Sequence, residues 1–402
     1  MAGELLFAAP SVGQEPPANA HTVCLYPGFA WGRAMVERSF LEIDNKSMSR
    51  RKEIFGFDAL RAFSVILVIT SHVGAIESAT NPFWVRFFSV FNATYGVKTF
   101  FVLSGFLITT LLIKENRTYG GVNVLNFMAR RALRILPLYF LILLIIASLI
   151  YLGIAQKSWS AMLFGALYIF NFIPKALSVN YMSHLWSLAV EEQFYLVWPL
   201  VFSLWIDRKT ILILICCTVI AACWMTMGAN YGEVTQRFFT DRWTIPAIYP
   251  ISIGAMMALC IGPWMKRISV ALLALALIAT PLFVEHSNLL EIANTFGIGL
   301  LIAWIYLNQD RAVVQSLEWF PLKYIGTISY GLYMWQGLWT GNGPYRVVPG
   351  FPLEPHLGAL LTLPCAIVSF HLFERPISRK FHEYFPPTGP STGSPVPIQD
   401  TP

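Results

Sequence analysis

Eleven apolar segments follow one another along this chain, at roughly 60–79, 91–113, 133–152, 160–173, 185–206, 210–228, 245–262, 268–284, 289–307, 323–340 and 356–373. A helix rises about 1.5 Å per residue, so about 20 residues cross the hydrocarbon core of a bilayer. Ten of the segments suit a span, and 160–173, being shorter, reads as re-entrant or interfacial. Composition agrees. Of the 402 residues 56% are hydrophobic and 12% charged, against about 25% charged in soluble proteins. The chain lacks the polar surface to face water all round. The expected fold is all-α, a polytopic membrane helix bundle of about ten transmembrane helices plus the one short segment.

The formal charge is +6, but the basic residues stand in short clusters between apolar runs, as orientation signals do in membrane proteins. They form no basic face of a folded domain, which excludes a nucleic-acid partner. Arg50, Arg51 and Lys52 precede the first span, and Lys114, Arg117, Arg130, Arg131 and Arg134 follow the second. Later gaps hold Arg208 with Lys209, Lys266 with Arg267, Arg311 with Lys323, and Arg379 with Lys380. All fall on the cytoplasmic side if 160–173 does not cross, giving ten spans with both termini inside. Segments 153–184, 229–243, 285–288 and 341–355 then face outward. None is long enough to be a domain, so chemistry is expected within the bundle or at its mouths.

Residues 1–50 mix Pro, Gly and Ala and read as a disordered extension, with Met48 and the following Ser-Arg-Arg-Lys a natural start. Residues 51–384 make the membrane domain, and 385–402 read as a disordered tail. Cys216, Cys217, Cys223, Cys260 and Cys365 lie in apolar segments and Cys24 stands alone, a pattern with no disulfide framework and no metal-ligand spacing.

Ionisable groups at bilayer depth are expensive and commonly face an interior cavity. Arg61 and His72 are eleven residues apart, about 1100° of helix rotation, so they share a face some 16 Å apart along the axis. Asp58 lies one turn before Arg61, as a site residue or a helix N-cap, and Arg61 doubles as a snorkelling anchor. Glu191 and Glu192 interrupt a span near the depth estimated for His72. Adjacent residues point about 100° apart, so one of the two faces the site, and Ser187 and Tyr195 share the face of Glu191. Such a carboxylate orients an imidazole or belongs to a structural ion pair. Arg130, Arg131 and Arg134 enter the third span, where guanidinium groups suit a phosphorylated donor, lipid headgroups or positive-inside topology equally well.

Taken together these runs resemble the acyltransferase-3 family of membrane proteins, from about Phe55 to Phe381. The carriers are the Arg-x10-His pair of Arg61 and His72, GVKTFFVLSGFLITTLLIKE, RRALRILP, HLWSLAVEEQFYLVWP, ISYGLYMWQ and FERPISRKF. Gln336 and Lys98 depart from the family pattern, where histidine and an acidic or neutral residue respectively are common. The resemblance implies an O-acyltransferase of a bacterial inner (plasma) membrane. It would move an acyl group, commonly acetyl, from cytoplasmic acyl-CoA to a hydroxyl of a surface glycan or lipid-linked saccharide. Acyl-CoA (acetyl-CoA) is then a donor substrate, with no permanently bound cofactor and no metal. Arg130, Arg131 and Arg134 would bind its phosphates, His72 would be the base or acyl carrier with Arg61 beside the pantetheine arm, and Glu191 or Glu192 would orient His72 or the acceptor. Some members carry a fused extracytoplasmic esterase-like domain; none is expected here, leaving the chain to act alone or with a separate partner. Acceptor selectivity is expected from the outer-loop residues Tyr231, Arg237, Arg242, Trp243 and Arg346. The rival reading is export of an acylated or anionic metabolite, although no inverted repeat is visible.

Overall fold

A computed structural model describes residues 54–74, 80–227, 240–284, 287–341 and 353–378. The extension, the tail and Arg50, Arg51, Lys52, Tyr231, Arg237, Arg346, Arg379 and Lys380 lie outside the described residues. Among those residues the regular structure is helical throughout: α1 Phe57–His72, α2 Pro82–Val90, α3 Ala93–Tyr119, α4 Val124–Tyr151, α5 Trp159–Ala166, α6 Leu185–Leu204, α7 Lys209–Met227, α8 Tyr249–Leu259, α9 Ile268–Ala279, α10 Asn288–Leu307, α11 Phe320–Thr327, α12 Ser329–Thr340 and α13 Pro355–Ser369. Single turns link several of them.

Local chemistry sets the ends. Asn92 accepts from the backbone N–H groups of Thr94 and Tyr95 to start α3, and Asn123 accepts from Asn126 N–H to start α4. Gly120, at φ 72°, closes α3 in the left-handed conformation that side chains disfavour. Among the described residues, five helical runs are long and apolar enough to cross a membrane: Pro82–Tyr119, Val124–Tyr151, Lys209–Met227, Asn288–Leu307 and Pro355–Ser378. Helix α6 is as long as α10 but carries the two glutamates. Segment 160–173 becomes the eight-residue α5 and a 3-10 turn at Phe170–Phe172. The expected segment 323–340 is two helices, parted at Ile328 (φ −92°, ψ 7°).

The centre of the bundle is α8, all of whose residues are buried, as expected of a helix that is hydrophobic all round. It crosses α3 backbone to backbone. A methyl group on Gly105 would run into the Ile251 carbonyl, and one on Gly254 would run into the Val102 carbonyl. Without a water-driven force between helices in lipid, small residues that allow such approach supply the packing. The same device seats α1 against its neighbours, since Gly96 meets the Ser64 carbonyl and Gly326 meets Asp58. The outward faces of α4, α6, α9 and α13 show Leu144, Leu196, Leu272 and Leu360, all more than half exposed, the surface that lipid would cover.

Candidate functional site

Helices α1, α3, α4, α6 and α12 surround a cavity of about 130 Å³. Ser187, Glu191 and Tyr195 reach it from α6. They are four residues apart, and a helix turns about 400° over that interval, so one face carries all three. From α3, Ser104 meets them. The Ser104 and Tyr195 hydroxyls both donate to Oε1 of Glu191 and touch each other. The Arg131 guanidinium stacks over the Tyr195 ring, 4.4 Å from its centroid, within electrostatic reach of both glutamates. A lone carboxylate at such depth would be costly; two hydroxyl donors and a guanidinium offset that.

One end of the cavity is cationic. Arg61, Arg131 and Arg134 all line it, and Arg134 feels Arg61 and Asp58 as charged neighbours. Asp58 is the second residue of α1, with Gly56 at the cap position, and its carboxylate pairs with Arg61 at 2.9 Å. The opposite end is formed by Ser187 and Tyr333, whose hydroxyls are 2.5 Å apart.

The residues expected to act together are sorted into separate places. Arg130 turns away from Arg131 and pairs with the buried Glu115 of α3 at 2.5 Å. Arg61 therefore completes the cation cluster that the sequence suggested for Arg130, Arg131 and Arg134. Of the two glutamates, Glu191 lines the cavity. Glu192 instead has Tyr139, Tyr168 and Tyr330 for neighbours, and its Oε1 is buried without a hydrogen bond.

His72 ends α1 beyond the cavity wall. Its neighbours are Gln336, Arg242 and His184, and its Nδ1 is buried without a partner. Among the described residues no hydrogen bond or ion pair joins His72 to Glu191 or Glu192. The reason is depth: α6 starts at Leu185, so its preceding residue His184 stands near His72. Glu191 comes seven residues later, about 10 Å further along the axis.

Sequence reasoning passed over His184, Ser104 and Tyr333. His184 had a readable signal, a histidine directly before a glutamate-bearing apolar helix. Ser104 had none beyond being a small polar residue in an apolar run. Gln336, noted only as a departure, is fully buried beside His72. Of the outer-loop residues named for selectivity, Arg242 donates to the Ser183 hydroxyl at 2.9 Å and lies over the Trp186 ring. Among the described residues, no group of three His, Cys, Asp or Glu side chains is placed to hold a metal ion.

A family model described as an acyltransferase domain, that of the acyltransferase-3 family, matches residues 54–371. The chain is 28% identical over 386 residues to the O-acetyltransferase OatA of Staphylococcus aureus, covering 85% of this chain and 61% of that protein. It is also 28% identical over 375 residues to the peptidoglycan O-acetyltransferase OatA of Listeria monocytogenes, covering 83% and 57% respectively. The chain thus spans about three fifths of the length of these curated relatives. No solved structure matches it.

Proposed function

The chain belongs to the acyltransferase-3 family, and from that premise we propose that it is a membrane O-acyltransferase. It moves an acyl group, acetyl in the favoured case, from cytoplasmic acyl-CoA to a hydroxyl of an extracytoplasmic glycan or lipid-linked saccharide. The protein crosses a bacterial plasma membrane ten times with both termini cytoplasmic. Its five long apolar runs are joined in this by α1, α6, α8, α9 and the α11–α12 pair. O-acetyl transfer is supported by the names of both relatives and the glycan class by the peptidoglycan O-acetyltransferase of Listeria monocytogenes.

The observation that carries the reading is the polarity of the cavity, cationic at Arg61, Arg131 and Arg134 and lined by hydroxyls at Ser187 and Tyr333. Guanidinium groups bind phosphate bidentately, so the cationic end faces the nucleotide of acyl-CoA on the cytoplasmic side. A space of about 130 Å³ suits the thioester end of the donor and not the whole molecule. The acceptor arrives from the other side, beside His72. Its O–H proton passes to His72 as its oxygen bonds to the acyl carbon, the C–S bond breaks, and the thiolate leaves with a proton returned by the imidazolium. Glu191, held by Ser104 and Tyr195, keeps Arg131 oriented toward the donor.

Sealed inside-out vesicles of native membrane, given labelled acetyl-CoA on their cytoplasmic face, test this. Label should appear on lumenal carbohydrate or lipid with wild type and be lost with His72→Ala at matched expression. Label that enters the lumen without becoming covalently attached would favour export instead, and an active His72→Ala would remove His72 from the mechanism.

A further inference from the structure

His184 is 2% exposed, and both of its ring nitrogens are buried without a hydrogen-bond partner. It is the only side chain among the described residues with two such atoms. A buried polar atom left unpaired costs the full desolvation of that atom, so filling space alone would be better served by an apolar side chain. Everything around the ring is nevertheless built to hold it. Gly337 sits so close that a methyl group there would collide with the imidazole. Tyr333 packs its ring against it, centroids 5.9 Å apart. The backbone carbonyl of His184 accepts from the hydroxyls of Ser187 at 3.1 Å and Tyr333 at 3.2 Å. The ring is fixed while its two nitrogens are left unpaired.

The second observation is what stands next to it. His72 is an electrostatic neighbour of His184, and its Nδ1 is also buried and unpaired. Gln336 lies against His72 and anchors its own amide on the Tyr333 carbonyl at 3.3 Å. Ser187 and Tyr333, which hold His184, also line the cavity. The two imidazoles therefore stand just beyond the point where an acyl thioester in the cavity would stop.

We propose that His184 is the acceptor-positioning residue of this protein, binding the substrate hydroxyl opposite His72. The inference rests on the acyl-transfer reading and deepens it. A hydroxyl donates one hydrogen bond and accepts others. It donates to an unpaired nitrogen of His72 and accepts from the N–H of His184, which aims an oxygen lone pair at the acyl carbon. His72 takes the proton as the new C–O bond forms and the C–S bond breaks, and His184 loses and gains nothing. The acceptor class is an aliphatic alcohol, such as a sugar hydroxyl, small enough at the reacting carbon to enter between two rings.

The test uses the full chain in native-membrane vesicles, with labelled acetyl-CoA as the probe and label on endogenous carbohydrate as the readout. His184→Ala should lower transfer by about 10–100-fold, as for one hydrogen bond made in the transition state. Added imidazole should restore several-fold of that loss, and the KM for acetyl-CoA should stay within about twofold, because the donor contacts lie elsewhere. His184→Phe, which keeps the ring volume without a polar atom, should fold, resist heat as well as wild type and be as slow as His184→Ala without imidazole rescue. A folded His184→Phe or His184→Ala that transfers at the wild-type rate overturns the inference. So does a slow His184→Ala that imidazole cannot revive. If His184 variants are active while His72→Ala is dead, only this inference fails; if wild type transfers no label, the acyl-transfer reading fails with it.

Discussion

The guanidinium of Arg131 lies 4.4 Å from the centroid of the Tyr195 ring, and the hydroxyl at the end of that ring donates to Glu191. One aromatic side chain thus lies between a cation and a carboxylate, one stacked on its face and the other bonded to its tip. Arg131 projects from α4 and Tyr195 from α6, so the arrangement ties two helices together as well as shaping the cavity. Removing one charge of a desolvated pair strands the other, at about 3–5 kcal/mol when burial is complete and less where a cavity admits water. Arg131→Ala is therefore expected to lower the thermal unfolding temperature in detergent. The double variant Arg131→Ala/Glu191→Gln should recover part of that loss. Equal or additive losses would show that the two charges are not coupled.

Glu191 and Glu192 differ in what they face. Glu191→Gln keeps an acceptor for Ser104 and Tyr195 but removes the charge opposite Arg131, so acetyl transfer should fall about tenfold or more, the equivalent of some 1.4 kcal/mol in the barrier. Glu192→Gln, turned toward Tyr139, Tyr168 and Tyr330, should transfer within about threefold of wild type, since Glu192 does not itself line the cavity. Vesicle assays at matched expression decide between them, and the reverse ranking would put the wrong glutamate in the site.

The common face of Ser187, Glu191 and Tyr195 was legible in the sequence, because helical periodicity within one segment needs no tertiary knowledge. So was the fold class, helices with long apolar runs among the described residues. What periodicity cannot supply is the depth of one helix relative to another. An estimate of similar depth for His72 and Glu191 left Glu191 or Glu192 to orient His72 or the acceptor, or to belong to a structural ion pair. Among the described residues Glu191 bonds to Ser104 and Tyr195, with no hydrogen bond to His72. The height of α6 is set by where it begins, at Leu185, and that puts His184 at the imidazole instead. Ser104 illustrates the same limit. It reaches Glu191 because α3 is drawn against α8 at Gly105 and Gly254, two residues about 150 positions apart whose contact only the fold reveals. The break at Ile328 falls in the run Gly326-Thr327-Ile328-Ser329, weak helix formers inside a segment otherwise apolar enough to read as one helix.

Lys98, a departure from the family pattern in the sequence, pairs with Glu291 of α10, to which Tyr249 also donates at 3.0 Å. This cluster stands apart from the cavity lining, so it is expected to serve stability and not donor or acceptor choice. Lys98→Met should destabilise the protein by removing the cation paired with Glu291, whereas Lys98→Met/Glu291→Met should regain much of the loss, because an ion pair largely withdrawn from water can be replaced by apolar groups at little cost. Thermal unfolding of the single and double variants measures this. A double variant that remains stable but changes its acyl-chain preference would move Lys98 into the substrate path.

The crossing of α3 and α8 makes the sharpest structural prediction. At Gly105 and Gly254 the obstacle to a side chain is the backbone of the partner helix, which cannot rotate aside as a flexible side chain would. Gly105→Ala must therefore push the helices apart, and overpacking of this kind costs about 1–3 kcal/mol or more. Because Ser104 precedes Gly105, the displacement also pulls its hydroxyl from Glu191. Loss of stability should accordingly come with loss of transfer, even though Gly105 touches no substrate. Gly120→Ala provides the comparison: that glycine has open space around it, and the substitution there carries only the strain of a positive φ, roughly 1 kcal/mol, with no path to the site. Folded yield, unfolding temperature and label transfer should all fall for Gly105→Ala and Gly254→Ala. For Gly120→Ala the unfolding temperature alone should drop slightly. A Gly105→Ala protein as stable and active as wild type would mean that the two helices do not meet backbone to backbone.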